Sequence, residues 1–409
     1  MRFLLLTQYF PPEVGAPQVR LLALANQLRA HGHRVTVVTA MPNYPAGVVQ
    51  AEYRGRRLVR EEVDGIPVVR TWIHAATGRG IARRMAGYLS FCATSIVGCL
   101  LAEPPDYVLV ESPPLFLGGT AWLVGLLRRA PFVMIVSDLW PASARDLGII
   151  TNRHALRVAT WLEHFLYRRS ARVAGVTRGI CDAVAETAGT EKVMFLPNGV
   201  DTSAFQPAES EAAGMLRPGE VGFLYAGTHG YAQGLELLLD AAELLRSRPE
   251  IVFLLVGDGP EKPRLVRLAG DRGLANVRFA NPRPPQTMPA VFSEARASIV
   301  PLLDRPLFRG ARPSKIFPSL ACGTPVIYSG VGEAAELIEG SGAGLVVPPE
   351  RPAELAAAVR RLTDDPATAA GMGAAGRRLV ERDYSWSAIA ERWLAELPQR
   401  GAPAPAPTA

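Results

Sequence analysis

The first forty residues follow an order that only a few folds accommodate. Residues 2–7 form an apolar run, residues 9–17 are rich in proline and glycine, and apolar residues then recur at i, i+3, i+4 and i+7 from Leu21. Gly32 can end this helix, and residues 35–39 form a second, β-branched run. The order strand, loop, helix, strand predicts a βαβ unit, which requires a parallel sheet covered by helices.

The same alternation continues along the rest of the chain. Further apolar runs separated by helical stretches lie at residues 107–110, 132–136, 172–177, 193–196, 222–226, 251–256, 277–280, 297–301, 325–328 and 344–347. A polar, helix-poor stretch after Asp201 extends to Glu220 and is the best candidate for a linker. Because 409 residues is about twice the usual domain size, we predict an α/β protein of two doubly wound domains facing a cleft.

The boundaries follow from these patterns. We expect one domain at residues 1–205 and a second, nucleotide-sugar-binding domain at 206–383. A C-terminal helix at 384–399 is expected to pack back toward the first domain, and the low-complexity tail at 400–409 is expected to be disordered.

Composition excludes several classes of protein. Lys and Arg total 44 against 38 Asp and Glu, and a surplus of +6 without basic segments interleaved with aromatic residues does not indicate nucleic-acid binding. The four cysteines show no C-x-x-C spacing, so neither a zinc finger nor a disulfide framework is expected. The first apolar run is too short for a signal peptide, and the sequence therefore predicts a cytoplasmic protein.

One segment is relevant to membranes. Residues 85–102 carry no charge and follow Arg79, Arg83 and Arg84. Eighteen residues are at the lower limit for a membrane span, and a buried or interfacial helix is the better interpretation. Arginines beside an interfacial helix can meet anionic headgroups, so we expect a possible peripheral contact with the inner face of the cell membrane.

Several common catalytic motifs are missing from the sequence. It has no G-x-x-x-x-G-K-[ST], D-x-D, G-x-S-x-G or H-E-x-x-H. A P-loop, a metal-bridged sugar-nucleotide site, a serine hydrolase and a zinc protease therefore lack support. We expect neither a metal nor a cofactor.

Five loop motifs lie near the expected carboxyl ends of strands, where doubly wound sheets bind ligands. In chain order they are Tyr9-Phe10-Pro11-Pro12-Glu13-Val14-Gly15, Asp138-Leu139-Trp140-Pro141, Leu196-Pro197-Asn198-Gly199-Val200-Asp201, Val256-Gly257-Asp258-Gly259-Pro260, and Pro313-Ser314-Lys315 ahead of Ala321-Cys322-Gly323-Thr324-Pro325. A glycine before a helix lets backbone N–H groups approach a phosphate or a sugar.

In this order and spacing the motifs resemble glycosyltransferase family 4 over about residues 1–397. The resemblance is closest to the fucosyl- and N-acetylfucosaminyl-type transferases of bacterial surface polysaccharide synthesis. It implies the GT-B fold and a metal-independent hexosyl transfer with retention of anomeric configuration. The implied donor is a nucleotide diphosphate sugar, expected to be a UDP-sugar. The implied acceptor is a lipid-linked or oligosaccharide hydroxyl, as in capsule, exopolysaccharide and lipopolysaccharide synthesis.

The resemblance also implies roles for individual residues. A leaving diphosphate needs positive charge and oriented N–H groups, and Lys315 is the first candidate catalytic residue, a solvated surface lysine being the alternative. Asp138 would lie by the donor sugar or the acceptor hydroxyl, a turn cap being the alternative. Glu13 and Trp140 are expected on the acceptor side. Donor-binding positions are expected at Gly15, Thr228, His229, Gly230, Gln233, Gly257, Asp258, Gly259, Arg312 and Ser314.

Among the departures of this chain from the family pattern, one concerns the contact to the donor ribose. Relatives usually carry an acidic pair whose second Glu holds the donor ribose, and the corresponding positions here are Gly310 and Pro318. Proline at this position predicts that the helix starts near Pro318. Glu333 or Glu336 are candidates to replace the ribose contact. The loss also leaves open a degenerate paralogue that binds a nucleotide sugar or a partner transferase without turnover, and an epimerase or phosphorylase of the same fold.

Overall fold

The computed structural model describes residues 1–13, 15–44, 46–75, 81–146, 150–208, 213–305 and 308–398. The expectations for Arg79 and for the tail at 400–409 lie outside these residues. The chain divides into two compact units, one of residues 1–197 and 389–409 and the other of residues 198–388. Each unit is a Rossmann-like α/β layer structure, as the sequence predicts.

The first unit is built on a mostly parallel sheet with the strand order β3-β4-β2-β1-β5-β6-β7-β8. Its elements are β1 Arg2–Leu6, α1 Ala16–Ala30, β2 Arg34–Ala40, β3 Leu58–Val63, β4 Ile66–Thr71, α2 Ile81–Leu101, β5 Tyr107–Ser112, α3 Phe116–Arg128, β6 Phe132–Val136, α4 Ala142–Asp146, α5 Arg153–Arg169, β7 Arg172–Gly175, α6 Arg178–Ala188 and β8 Val193–Phe195.

The central strands of this sheet are covered on both faces. Every residue of β5 and β6 is buried, which explains why they are continuous apolar runs rather than alternating ones. The pair β3 and β4 was not predicted. It is an antiparallel hairpin at the sheet edge, and its charged, alternating first strand (LVREEV) lacks the apolar run by which the other strands were found.

The second unit contains a parallel sheet with the order β11-β10-β9-β12-β13-β14. Its elements are β9 Val221–Ala226, α7 Glu236–Leu244, β10 Ile251–Val256, α8 Lys262–Asp271, β11 Val277–Ala280, α9 Met288–Glu294, β12 Ala297–Pro301, α10 Ile316–Ala321, β13 Val326–Ser329, α11 Glu333–Ser341, β14 Gly344–Val347, α12 Pro352–Asp364, α13 Pro366–Leu379 and the first part of α14 Trp386–Glu396. The strand order reverses direction at β9, between β10 and β12. Doubly wound sheets bind ligands at the carboxyl ends of strands beside such a point.

The boundaries between the units differ from those expected. Residues 198–205, expected in the first domain, belong to the second unit. Val200 forms a parallel bridge with Ser385, and Arg377 donates a hydrogen bond to the carbonyl oxygen of Phe205 at 2.8 Å. A backbone bridge and a side-chain hydrogen bond therefore hold this segment in the second unit, and neither contact can be read from the composition.

The chain returns to the first unit within α14, between Ala388 and Ile389. In that unit Trp393 is buried with its ring 6.1 Å from the ring of Phe3. The hydroxyl of Tyr107 also donates a hydrogen bond to the carbonyl oxygen of Pro398.

The start of α10 corrects another expectation. This helix begins at Ile316, with Lys315 as the preceding cap residue, rather than near Pro318. Pro318 lies in the first turn, where backbone N–H groups have no partner within the helix. The carbonyl with which its ring would clash belongs to Ser314, outside the helix, so the proline is accommodated.

Candidate functional site

Two adjoining cavities open at the carboxyl ends of β9, β10 and β12 in the second unit. The first has a volume of about 430 Å³ and the second about 460 Å³. They share four lining residues, which are Ala226, Gly227, Thr228 and Lys315. The first cavity is otherwise mostly apolar, with Phe205, Val256, Gly257, Asp258, Pro282, Arg283, Pro285, Met288, Phe292 and Pro318. The second is more polar and includes Gln233, Phe308, Arg312, Pro313 and Ser314.

Lys315 lies where the two cavities meet. Its Nζ donates a hydrogen bond to the hydroxyl oxygen of Tyr225 at 2.7 Å and lies 4.2 Å from the centre of that ring. The Tyr225 hydroxyl in turn donates to the carbonyl oxygen of Thr228 at 2.5 Å. Burial lowers the pKa of Lys315 to about 8. A partly dehydrated ammonium group without a carboxylate partner among these contacts is suited to attract an anion.

Sequence reasoning did not identify Tyr225. Its signal was available, because it is the polar-tipped aromatic residue one position before the end of β9. Burial raises the pKa of its phenol above the ordinary value, so Tyr225 remains a neutral partner for Lys315.

Two glycines allow backbone segments to approach each other beside Lys315. Gly257 has a φ of +145°, and a Cβ there would lie 1.9 Å from the carbonyl oxygen of Gly227. Gly259 has a φ of +155°, and a Cβ there would lie 2.5 Å from the carbonyl oxygen of His229. Only glycine fits either position without backbone movement. Gly257 lines the first cavity, whereas Gly259 does not.

His229, predicted to bind the donor, is fully buried, with its ring centre 5.5 Å from that of Tyr225. Its ring nitrogens have no hydrogen-bond partner among the described residues. Burial lowers its pKa, and the positive charges of Lys262 and Lys315 lower it further. The imidazole is therefore neutral at pH 7 and lines neither cavity, while the neighbouring Thr228 lines both.

Arg312 lines the second cavity from its far side. Its Nε lies 2.9 Å from a carboxylate oxygen of Glu333, and its Nη1 donates to the hydroxyl of Tyr384 at 3.0 Å. Glu333 thus orients Arg312, and neither Glu333 nor Glu336 lines the first cavity, where Pro318 lies. The suggestion that either glutamate replaces the contact at position 318 finds no support in this arrangement.

The remaining predicted donor residues are divided between the cavities and their surroundings. Gln233 and Ser314 line the second cavity, and Asp258 lines the first. Gly230 precedes the short turn that contains Gln233. Gly15 belongs to the first unit, where it immediately precedes α1.

In the first unit Asp138 follows β6 and lies half-buried before α4. One of its carboxylate oxygens accepts a hydrogen bond from the hydroxyl of Ser143 at 2.8 Å. Trp140, two residues later, packs edge-on against Phe116 with the rings 5.5 Å apart. Asp138 and Trp140 are thus held at the carboxyl end of the first sheet, each by its own contact.

Glu13, expected on the acceptor side, stabilises the loop in which it lies. It is buried, and its carboxylate accepts hydrogen bonds from the backbone N–H groups of Asn43 at 2.8 Å, Tyr44 at 2.7 Å and Phe10 at 3.2 Å. Burial raises its pKa, although these N–H groups act in the opposite direction. Glu13 therefore fixes the shape of the loop before Gly15.

A buried ion pair under the same edge was also missed. Arg20 on α1 donates to a carboxylate oxygen of Glu111 at 2.6 Å, and Ser137 bonds to both side chains. Burial raises the pKa of Glu111, and the charge of Arg20 opposes that change. The signal in the sequence was a glutamate near the end of an otherwise apolar strand, YVLVES.

Metal ligands are not grouped in the part of the chain that the structure describes. No cluster of three or more His, Cys, Asp or Glu side chains there could hold a metal ion.

Comparison with known proteins assigns each of the two units to a family of glycosyl transferase domains. Residues 15–199 match the family described as "Glycosyl transferase 4-like domain", and residues 220–365 match "Glycosyl transferases group 1". A D-inositol 3-phosphate glycosyltransferase of Kineococcus radiotolerans is 34% identical over 431 aligned positions, covering 93% of this chain and 90% of that protein. The "putative colanic acid biosynthesis glycosyl transferase WcaI" of Escherichia coli is 28% identical over 351 residues, covering 82% of this chain and 85% of that protein.

Solved structures agree on the fold. HepE of Anabaena, determined in complex with UDP, superimposes with a TM-score of 0.73 at 18% identity, covering 97% of this chain and 99% of that one. These superpositions show the GT-B fold, and the two family matches define an enzyme that transfers a glycosyl group. The chain belongs to glycosyltransferase family 4.

Proposed function

We propose that this enzyme is a retaining, metal-independent glycosyltransferase that moves a hexose-type sugar from a UDP-sugar to a lipid-linked or oligosaccharide hydroxyl. Its place is in bacterial surface polysaccharide synthesis, within the fucosyl- and N-acetylfucosaminyl-type branch. Similarity to the Escherichia coli protein named for colanic acid biosynthesis supports this place. The structures of HepE with UDP and UDP-glucose support the choice of donor.

One observation carries the proposal, namely the position of Lys315 between an apolar cavity and a polar one. A nucleotide sugar has the same order of parts, because its diphosphate separates an apolar base from a polar sugar. The base and ribose would occupy the first cavity, the diphosphate would lie at Lys315 and Gly227, and the sugar would enter the second cavity beside Gln233 and Arg312.

The chemistry assigned to Lys315 is stabilisation of the leaving diphosphate. Negative charge accumulates on the diphosphate as the glycosidic bond breaks, and a preorganised cation at that point lowers the barrier. Arg312, oriented by Glu333 and Tyr384, adds positive charge on the sugar side. Asp138, oriented by Ser143, is assigned to the acceptor hydroxyl or the donor sugar.

The binding step is tested by calorimetric titration of the purified protein with UDP. We expect a dissociation constant in the micromolar range, which Lys315→Ala weakens by at least about tenfold because one charged contact is lost. Lys192→Ala is the matched control, because this lysine lies in the first unit and outside both cavities. Unchanged binding in Lys315→Ala would remove Lys315 from the site.

Turnover and stereochemistry are tested without knowing the acceptor. UDP-sugars incubated with the protein should release UDP slowly as water replaces the acceptor, and proton NMR of the freshly released sugar should show the α anomer. Release of the β anomer would contradict retention. UDP binding without any release, from several UDP-sugars and with oligosaccharide acceptors, would instead favour the degenerate paralogue.

We further propose that the first unit binds the inner face of the cell membrane through α2 and α3. Of the described residues, Arg83–Leu101 is the one stretch of helix long and apolar enough to cross a membrane by length and composition. One face of α2 is integrated into the unit, since a Cβ on Gly98 would lie 2.7 Å from the side chain of Thr71. A helix packed against its own sheet in this way is better suited to lie on a membrane than to span it.

The opposite face of α2 supports that location. Leu89 and Val97 are more than half exposed, and Leu100 and Leu101 continue the same face to the helix end. The end of α3 adjoins it, because Arg128 donates a hydrogen bond to the carbonyl oxygen of Leu100. Leu126 and Leu127 of α3 and Arg129, the residue that follows this helix, are exposed, and Arg84 is exposed at the start of α2. An apolar strip with arginines at both ends matches an anionic lipid surface in chemistry.

Co-sedimentation with vesicles tests this location. We expect the protein to pellet with vesicles of phosphatidylglycerol and phosphatidylcholine but not with phosphatidylcholine alone. The double variant Arg84→Glu, Arg129→Glu should stay in the supernatant, whereas the control Arg267→Glu, Arg360→Glu changes exposed arginines of the second unit and should pellet normally. Equal sedimentation of both double variants would contradict the proposal.

A further inference from the structure

The first cavity contains a proline where the ribose of a nucleotide is expected. Lys315 is the cap residue that precedes α10, Pro318 lies three positions later in the first turn of the helix, and both line this cavity. The buried α10 residues Ile316, Phe317 and Leu320 instead pack in the hydrophobic core of the second unit. One helical turn therefore separates the cation expected at the diphosphate from the pyrrolidine ring of Pro318.

This spacing corresponds to the structure of a nucleoside diphosphate. Ribose is the group that directly follows the diphosphate, so a nucleotide whose phosphates lie at Lys315 and whose base enters the apolar cavity presents its ribose to Pro318. A pyrrolidine ring neither donates nor accepts a hydrogen bond. Met288 and Phe292, on the adjacent wall of the cavity, offer no strong acceptor either.

Carboxylates able to accept hydrogen bonds from ribose hydroxyls are scarce here. Asp258 is the one acidic residue that lines the cavity within the described parts of the chain. One of its oxygens already accepts the N–H of Gly259 at 2.8 Å. Asp258 follows β10, toward the β11 end of the cavity, where Pro282 and Arg283 also lie. These residues come from the loops that follow β10 and β11, and this part of the cavity is assigned to the base.

We infer that the nucleotide site of this enzyme does not recognise the ribose 2′-hydroxyl, and that 2′-deoxyribonucleoside diphosphate sugars, including thymidine diphosphate sugars, are donors alongside the ribonucleotide forms. The inference rests on the proposed function and extends it to the class of donor. It follows from the position of a phosphate-binding lysine and, three residues later in the same cavity lining, a residue whose side chain has no hydrogen-bonding group.

The test compares matched ribo- and deoxyribonucleotides by calorimetry. UDP is compared with 2′-deoxy-UDP, and GDP with 2′-deoxy-GDP, using the purified full chain. For each ribonucleotide that binds, we expect its dissociation constant and that of its 2′-deoxy counterpart to agree within about threefold. Loss of a hydrogen bond to a charged group would instead raise the dissociation constant by about tenfold or more. UDP-glucose and thymidine diphosphate glucose should likewise release sugar at rates within about threefold of each other.

The substitution Pro318→Glu supplies the missing group and predicts a gain of discrimination. Position 318 is in the first turn of α10, where a glutamate is favourable for the helix, so the variant is expected to fold. It should bind the ribonucleotide about tenfold or more tightly than the deoxyribonucleotide. Pro318→Ala is the control, because it removes the ring without adding an acceptor and should keep the pair within about threefold.

The possible outcomes separate this inference from the proposed function. A wild-type preference of about tenfold or more for UDP over 2′-deoxy-UDP would overturn the inference and leave the transferase proposal intact. Tight binding by Pro318→Glu with no discrimination would overturn the assignment of position 318 to the ribose. Failure of all four nucleotides to bind the wild-type protein would overturn the proposed function, and with it the inference.

Discussion

The lowered pKa of Lys315 makes nucleotide binding depend on pH in a range where an ordinary lysine stays charged. Burial lowers the pKa of this ammonium group to about 8. If only the charged form of Lys315 attracts the diphosphate, about three quarters of the free protein is able to bind at pH 7.5 and about a tenth at pH 9. The apparent dissociation constant for UDP should therefore rise about eightfold over this interval.

The direction follows from linkage. Bound diphosphate holds the lysine in its charged form, whereas the free protein releases the proton as the pH rises through about 8. Binding at pH 8.5 should therefore take up a fraction of a proton. This uptake is measurable as the difference in calorimetric heat between two buffers of unlike ionisation enthalpy.

Two variants isolate the lysine as the titrating group. Lys315→Arg keeps a charge at every pH in the interval, so its affinity should stay constant, and Lys315→Ala should be weak and equally constant. Tyr225 does not titrate here, since burial raises its pKa above the ordinary value. A wild-type affinity that stays flat from pH 7.5 to 9, or an arginine variant that weakens as much as the wild type, would refute this reasoning.

Three further substitutions test the packing of the site. Gly257→Ala places a methyl group against the carbonyl oxygen of Gly227, so urea denaturation should show a loss of at least about 2 kcal/mol and UDP binding should fall. Glu111→Ala leaves the buried Arg20 without its carboxylate partner, and the loss in the same assay should be about 3–5 kcal/mol. Lys315→Met should raise stability at pH 7 by about 1–3 kcal/mol while abolishing turnover. Because the folded-state pKa is lowered, wild-type stability rises with pH above about 8, and this advantage should shrink by pH 9.5; a constant difference would contradict it.

The sequence determined the architecture of this protein, because the architecture depends on helices and strands that local periodicity in the sequence reveals. Apolar runs bounded by glycine and proline marked strands such as Phe132–Val136 and Ile251–Val256, whose predicted bounds are those of the structure. A strand buried on both faces must be apolar throughout, and such a continuous apolar run can be recognised in the sequence alone. The motif at residues 256–260 likewise identifies the glycines at 257 and 259, which the close backbone contacts at these positions require.

Tertiary structure alone decided which side chains act together. The contact between Lys315 and Tyr225 joins α10 to β9, and the Arg20–Glu111 pair joins α1 to β5. Neither pairing follows from the spacing of the residues along the chain. The structure also decided that Glu333 orients Arg312 and that His229 is buried. Pairings of this kind depend on which strands lie side by side in the sheet, and hydrophobic patterning restricts that order without specifying the contacts made across it.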